Sequence, residues 1–261
     1  MRLELLLATM NQENDNLLET MKVQSDVLVC NQNRNTTSYS EYDKKGYKVK
    51  WYDFQEKGVG LNRNNALLRA TGEICLLADD DVVYEEGYRE TVLNAFLKNP
   101  KADVILFNIH SAGINSFIIK KKMKIHLHNC GRFGAVRIAF RREKVIKNAI
   151  AFNTLFGGGC QFNAGEDVMF IKDCLKNKLK VIAVPDYILT LTEERESTWF
   201  KGYDEKYFED LGSSYCYLYG KLAKFCAFLQ LIKGRKRFGD TYSFKEKFRL
   251  MKNGIKKYKD L

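Results

Sequence analysis

No apolar run in the 261-residue sequence approaches the ~20 residues that a membrane-spanning helix needs, so a chain that crosses a bilayer is not expected. Cys-x-x-Cys pairs are also missing. The seven cysteines, at positions 30, 75, 130, 160, 174, 216 and 226, are scattered and odd in number. That spacing excludes a zinc finger or a disulfide framework and points to a reducing, cytoplasmic setting. Several lie in apolar segments, where a free cysteine behaves as a small hydrophobe. Histidine is scarce too: His110, His126 and His128 make up the whole set, and each reads as structural. The apolar start, Met1 to Ala8, carries Glu4 and lacks the basic stretch and cleavage site of a signal peptide, so it reads as a first strand. No repeat and no low-complexity stretch is present.

Charge is abundant but uneven. The net charge is +11. Thirteen Lys/Arg and three acids fall between Lys221 and Leu261, a balance of +10, while the preceding 220 residues carry 30 bases and 29 acids. A nearly neutral body with a basic tail suggests an anionic partner for the tail, either a membrane surface or a nucleic acid. The tail also holds an apolar stretch, Phe225-Cys226-Ala227-Phe228-Leu229-Gln230-Leu231-Ile232, ahead of Lys233-Gly234-Arg235-Lys236-Arg237. Apolar and aromatic residues beside a basic cluster suit an interfacial helix on anionic lipid. They equally suit a helix packed on the rest of the chain with a solvated basic face.

Short apolar segments alternate with helical ones through the first half. Strands are expected at 2–7, 26–30, 47–53, 73–78 and 102–108. Helices are expected at 11–22, 61–70 and 86–98, the last stopped by Pro100, with a polar loop at 31–40. This alternation indicates an α/β fold with a mostly parallel central sheet flanked by helices. The second half is less regular. A strand is expected at 135–141, a Gly-rich loop at 152–163, a helix at 165–176 and a strand at 181–184 ended by Pro185. From Tyr203 the pattern is helical, giving a catalytic domain over 1–212 and a helical basic extension over 213–261.

Four motifs carry chemistry. Asp79, Asp80 and Asp81 end the apolar run Ile74-Cys75-Leu76-Leu77-Ala78. Three adjacent carboxylates where a buried strand meets a loop suit a hard divalent cation held with substrate phosphates, or a solvated turn. Ala8-Thr9-Met10-Asn11 follows the first strand and leaves room for a flat ring near the backbone; Asn11 is equally a helix cap. Gly58-Val59-Gly60-Leu61-Asn62-Arg63-Asn64-Asn65-Ala66-Leu67 puts Arg63 and Asn64 in the first turn of a helix, where Arg63 can meet a phosphate, brace the aspartates or lie on the surface. Gly157-Gly158-Gly159 leads through Asn163 to Gly165-Glu166-Asp167, two acids at a helix start that serve either the helix dipole or general-base catalysis.

Together, in this order and spacing, the motifs resemble family 2 glycosyltransferases over about residues 1–185. Ala8-Thr9-Met10-Asn11 is similar to that family's Pro-Thr-Tyr-Asn, and Gly58 to Leu67 to its Gly-x-x-x-x-Arg-Asn-x-Ala-Leu. The aspartates resemble its Asp-x-Asp, and Gly165-Glu166-Asp167 its Glu-Asp motif. Glu196 to Phe200, continuing to Tyr207-Phe208, is similar to a subset of bacterial enzymes that build surface polysaccharides. The resemblance implies a GT-A-like fold and metal-assisted, inverting transfer of a sugar from a nucleotide sugar, UDP-linked by expectation, to a glycan or polyprenyl-linked acceptor.

The resemblance also implies site roles. Thr9, Asn11 and Asn31 line the base pocket, and Arg63 and Asn64 border the base and diphosphate. Asp79 faces the ribose. Asp81, with Asp79 or Asp80 beside it, holds Mn2+ or Mg2+ on the diphosphate. Asp167, or else Glu166, is the base. Trp199, Gly158 and Gly159 fall in the acceptor region. The enzyme is expected to be cytoplasmic and peripheral on the inner face of the cell membrane. Two departures stand out: Asn31 occupies a place where relatives often carry aspartate, and no late histidine is present to join the metal.

Two other classes fit less well. A sugar nucleotidyltransferase uses a Gly-rich loop after the first strand, and Ala8-Thr9-Met10-Asn11-Gln12 has no glycine. A nucleic-acid-binding module leaves the acidic motifs unexplained, and the chain carries no such motif.

Overall fold

A computed structural model describes residues 1–33, 35–111, 117–163, 165–192 and 202–261. The first half builds β1 (Leu3–Met10), α1 (Asn16–Thr20), β2 (Asp26–Gln32), β3 (Ser38–Lys44), β4 (Tyr47–Phe54), α2 (Val59–Arg69), β5 (Ile74–Asp79), β6 (Val82–Tyr84), α3 (Tyr88–Lys98) and β7 (Val104–His110). The second half adds β8 (Met123–Lys124), β9 (Ile138–Arg141), α4 (Arg142–Lys147), α5 (Glu166–Lys176), β10 (Val181–Leu191), α6 (Glu205–Tyr219), α7 (Ala223–Lys233) and α8 (Phe244–Lys259). The strands form a sheet in the order β3-β4-β2-β1-β5-β9-β7-β10-β6, with β8 paired to β10.

Two halves of the sheet differ. β4, β2, β1 and β5 are parallel, as the alternating pattern implies. Beyond them the sheet is mixed: β9 runs antiparallel between β5 and β7, while β7 and β10 are parallel. Period-two alternation divides the core between the faces. Leu5, Leu7, Val27 and Val29 pack on one side with residues of α1 and α3. Leu6, Leu28, Cys30 and Leu77 pack on the other with residues of α2 and α5. All seven cysteines are free thiols, five of them buried.

Several expected elements differ in extent. The helix expected over 11–22 shrinks to Asn16–Thr20 because β1 runs on to Met10, and Asn11, at φ 54°, turns to donate its N–H to Gln32 O (3.1 Å). The polar loop expected over 31–40 gives way at Ser38 to β3, an edge strand paired only with β4. Lys45 and Gly46, at φ 48° and 86°, close that hairpin, the positive-φ pair that a tight two-residue turn requires. The segment 135–141 starts as a 3-10 turn, Ala135–Arg137, before β9. β10 continues past Pro185 to Leu191, because its pairing with β7 shifts register around Tyr187 and no ladder hydrogen bond is asked of the proline.

The C-terminal helices form their own small core around Phe208, Leu231, Phe238, Met251 and Ile255. α6 runs without a break through Gly212, where the catalytic body was expected to end. The bundle docks on the Gly-rich segment: the Tyr258 ring lies 5.6 Å from that of Phe156 and 6.2 Å from that of Phe162, and Asp210 Oδ2 accepts the Asn163 N–H (3.0 Å). Among the described residues no helix is long and apolar enough to cross a membrane.

Candidate active site

Parallel register lines up the carboxyl ends of four strands. Ala8 pairs with Asp79, Thr9 with Asn31, and Asn31 with Asp53. In such sheets this edge is where ligands bind. The apolar interior of each strand fixes its register, so the polar residues just past it gather without further design.

α2 enters this edge from Gly58, whose φ of 110° suits glycine. One turn in, the buried Arg63 spans two elements. Its Nη2 donates to Asp79 Oδ1 and its Nη1 to Glu166 Oε1, each at 2.7 Å. Burial opposes the guanidinium charge, but the Asp79 and Glu166 carboxylates outweigh it and raise the Arg63 pKa. Of the uses open to Arg63 in the sequence, the structure shows the brace to the aspartates. The Asn64 amide clamps the Phe152 backbone, donating to Phe152 O (2.9 Å) and accepting from Phe152 N (2.7 Å).

Glu166 and Asp167 open α5, where the helix dipole favours acids. Their surroundings differ. Glu166 is tied to Arg63 and lies under the Gly157 backbone; a Cβ at Gly157 would come within 2.9 Å of its carboxyl. Among the described residues no guanidinium pairs with Asp167, and its Oδ1 accepts the Val168 N–H (2.7 Å). Burial first, then the adjacent Glu166 charge, push its pKa up to about 7, against the Val168 hydrogen bond and Arg63. The residue as a whole is half-buried. Gly158 and Gly159 lie over the start of α2, where Gly158 O accepts the Val59 N–H (3.0 Å). Trp199 lies outside the described residues.

The aspartate triplet is split by its contacts. Asp79 is held by Arg63. Asp80 Oδ2 accepts from Thr9 Oγ1 (2.6 Å) and Gln12 Nε2 (3.3 Å). The Asp81 carbonyl accepts from Thr192 N (3.0 Å) and Thr192 Oγ1 (2.9 Å), which ties the turn to the end of β10. Among the described residues, no three His, Cys, Asp or Glu side chains form a cage for a metal.

Asn31 is fully buried, and its amide is engaged on both sides. It accepts from Gln12 N (3.0 Å) and donates to Gln12 O (2.9 Å) and Asp53 Oδ1 (2.7 Å). Asp53 also accepts from Trp51 Nε1 (3.1 Å) and from the Ser38 hydroxyl. Asn11 sits exposed at the rim. Sequence reasoning missed Gln12, Asp53 and Thr192. Asp53 could have been found as the acid ending the strand beside β2; Gln12 and Thr192 have no local signal. The histidines stand apart from these contacts: His110 stacks on Tyr187, ring centroids 4.2 Å apart, and His126 stacks on His128.

A parallel half-sheet with acids at its carboxyl edge, an arginine-braced helix and an acidic helix start is the arrangement expected above for a GT-A-like fold. The model of the family described as glycosyl transferase family 2 matches residues 6–166, more than half of the chain. The chain belongs to that family. No curated protein matches the sequence significantly. Among solved structures, the fold is similar to S. aureus TarS 1–349 in complex with UDP-GlcNAc, at TM-score 0.66 and 18% identity over 99% of this chain and 80% of that one. The same fragment in complex with UDP gives TM-score 0.61 and 14% identity over 100% and 92%. TarS without the 1–349 truncation gives TM-score 0.57 and 18% identity over 82% of this chain and 39% of that one.

Proposed function

We propose that this chain moves a sugar from a UDP sugar to a hydroxyl of a glycan or polyprenyl-linked acceptor, with inversion at the anomeric carbon, in the synthesis of a surface polysaccharide. The observation that carries this reading is the pair at the start of α5, a Glu166 ion-paired with Arg63 beside an Asp167 whose proton affinity is raised toward neutrality. A base poised near the working pH is what hydroxyl activation needs. In the reaction, the acceptor oxygen attacks the anomeric carbon, its proton passes to Asp167, and UDP leaves from the opposite face.

The remaining residues bind and orient. Thr9, Asn11 and the Asn31 neighbourhood take the base. Because both amide hydrogens of Asn31 are committed, the polar edge it offers runs through Gln12 and Asp53. Asp79 faces the ribose and Asp80 is steadied by Thr9. Asp81 and Asp79 suit Mn2+ or Mg2+. Arg63 takes Oδ1 of Asp79, and a hard cation asks for only one or two carboxylates besides phosphate oxygens. When bound, such a cation offsets the negative charge that develops on the diphosphate. Gly158 and Gly159 border the acceptor region. An acceptor on a polyprenyl carrier places the enzyme in the cytoplasm, peripheral on the inner membrane face.

A thermal-shift screen of nucleotide sugars with and without Mn2+ tests the donor assignment. A UDP sugar is expected to raise the melting temperature more with the metal than without. A response to no nucleotide sugar contradicts the assignment.

A further inference from the structure

The helical bundle turns one large apolar face outward. On α7, Ala223, Ala227 and Leu231 are buried in the C-terminal core, one helical turn apart. The opposite side carries Phe225, Phe228 and Ile232, with Leu222 just before the helix and Phe244 beside it. These five are 39–62% exposed. The face is continuous, because the Phe228 ring meets those of Phe244 (5.4 Å) and Phe248 (5.8 Å). A solvated helix would place polar side chains there. A contiguous exposed apolar patch rimmed by charge marks a surface that is covered in use.

The rim identifies the partner. Lys221, Lys224, Lys233 and Lys245 are exposed around the patch, and Lys252 lies over the Phe248 ring at 5.3 Å. They belong to the segment that carries a balance of +10. Two copies of so basic a face repel each other. Nucleic acid would use the rings but gives Leu222 and Ile232 nothing to stack on. An anionic bilayer satisfies both parts, with acyl chains for the apolar side chains and headgroups for the lysines.

We propose that the α7 face made by Leu222, Phe225, Phe228 and Ile232, with Phe244, seats in the interfacial layer of an anionic phospholipid membrane while the surrounding lysines hold its headgroups. This rests on the peripheral-membrane reading above and specifies the surface that performs it. Lysines snorkel to the headgroups as the rings sink.

Vesicle cosedimentation of the full chain tests it. The wild type is expected to bind vesicles containing phosphatidylglycerol, to bind phosphatidylcholine vesicles far less, and to lose binding at high salt. The double variant Phe225→Ser/Ile232→Ser is expected to partition at least about tenfold more weakly, since each large apolar side chain contributes more than that factor when fully buried. Both side chains are exposed, so its thermal unfolding should match the wild type. Equal binding by the double variant and the wild type overturns the α7 assignment and leaves the membrane reading standing. A wild type that binds no anionic vesicle overturns both. A wild-type dimer that the double variant converts to monomer makes the face a contact between copies and overturns the proposal too.

Discussion

Arg63 and Glu166, 103 residues apart in the chain, meet in a buried ion pair at 2.7 Å that ties the first turn of α2 to the first turn of α5. The second arm of the same guanidinium reaches Asp79 at the end of β5. One arginine therefore sets the spacing between the end of β5 and the start of α5, the helix proposed to carry the base. It also distinguishes two neighbouring acids: Glu166 is paired with Arg63, and Asp167, which accepts the Val168 N–H, is the proposed base.

Arg63→Ala leaves Glu166 and Asp79 without their cation. Removing one partner of a buried pair costs about 3–5 kcal/mol. The urea midpoint is expected to fall accordingly, together with activity. Arg63→Lys should recover only part of both, because a single ammonium cannot span two carboxylates held by a planar fork. Stability unchanged in Arg63→Ala contradicts the brace.

The raised pKa of Asp167 has two consequences with opposite benefit. Transfer is expected to rise with pH through about 7 as the base ionises. Folding stability should move the other way. Between the ordinary carboxylate value of 3.8 and about 7, the native state holds a proton that the unfolded chain has released. Stability therefore falls as pH rises through that window. Asp167→Asn cannot ionise, so its unfolding free energy should lose this decline when measured at pH 5 and pH 8. A variant with the wild-type pH dependence contradicts the assignment.

The Asp81→Ala variant keeps the tie from this turn to Thr192, which uses the Asp81 carbonyl. Its affinity for UDP in the presence of Mn2+ should drop toward the metal-free value in calorimetric titration. Wild-type affinity with metal contradicts a ligand role for Asp81.

Gly254 and Gly212 let α8 and α6 touch backbone to backbone. A Cβ at Gly254 would lie 1.8 Å from Glu209 O, and one at Gly212 2.1 Å from Met251 O. Forcing the helices apart should cost about 1–3 kcal/mol in the Gly254→Ala variant, as overpacking does elsewhere. Its melting temperature is the readout, and an unchanged value contradicts the close crossing.

Much of this was legible in the sequence because local signals carried it. The apolar run into Asp79, Asp80 and Asp81, the Arg63 helix start and the Glu166-Asp167 helix start all declare themselves by residue type and order. β3 did not, because an edge strand half in water has no buried face to enforce alternation, and its one firm signal was the Lys45-Gly46 turn. Gln12 and Thr192 were invisible for a different reason. They reach Asp80 and the Asp81 carbonyl through a turn and a distant strand, and no spacing encodes such a meeting. The docking of Tyr258 on Phe156 is equally non-local.

The division of labour between Glu166 and Asp167 is tested most directly by single-turnover release of UDP from the donor that the thermal screen selects, comparing the wild type with Asp167→Asn. The variant is expected to bind the donor as tightly as the wild type and to release UDP at least about a hundredfold more slowly, the scale of a lost general base. Normal UDP release by Asp167→Asn, or a rate intact there and lost in Glu166→Gln with the fold preserved, would contradict the account.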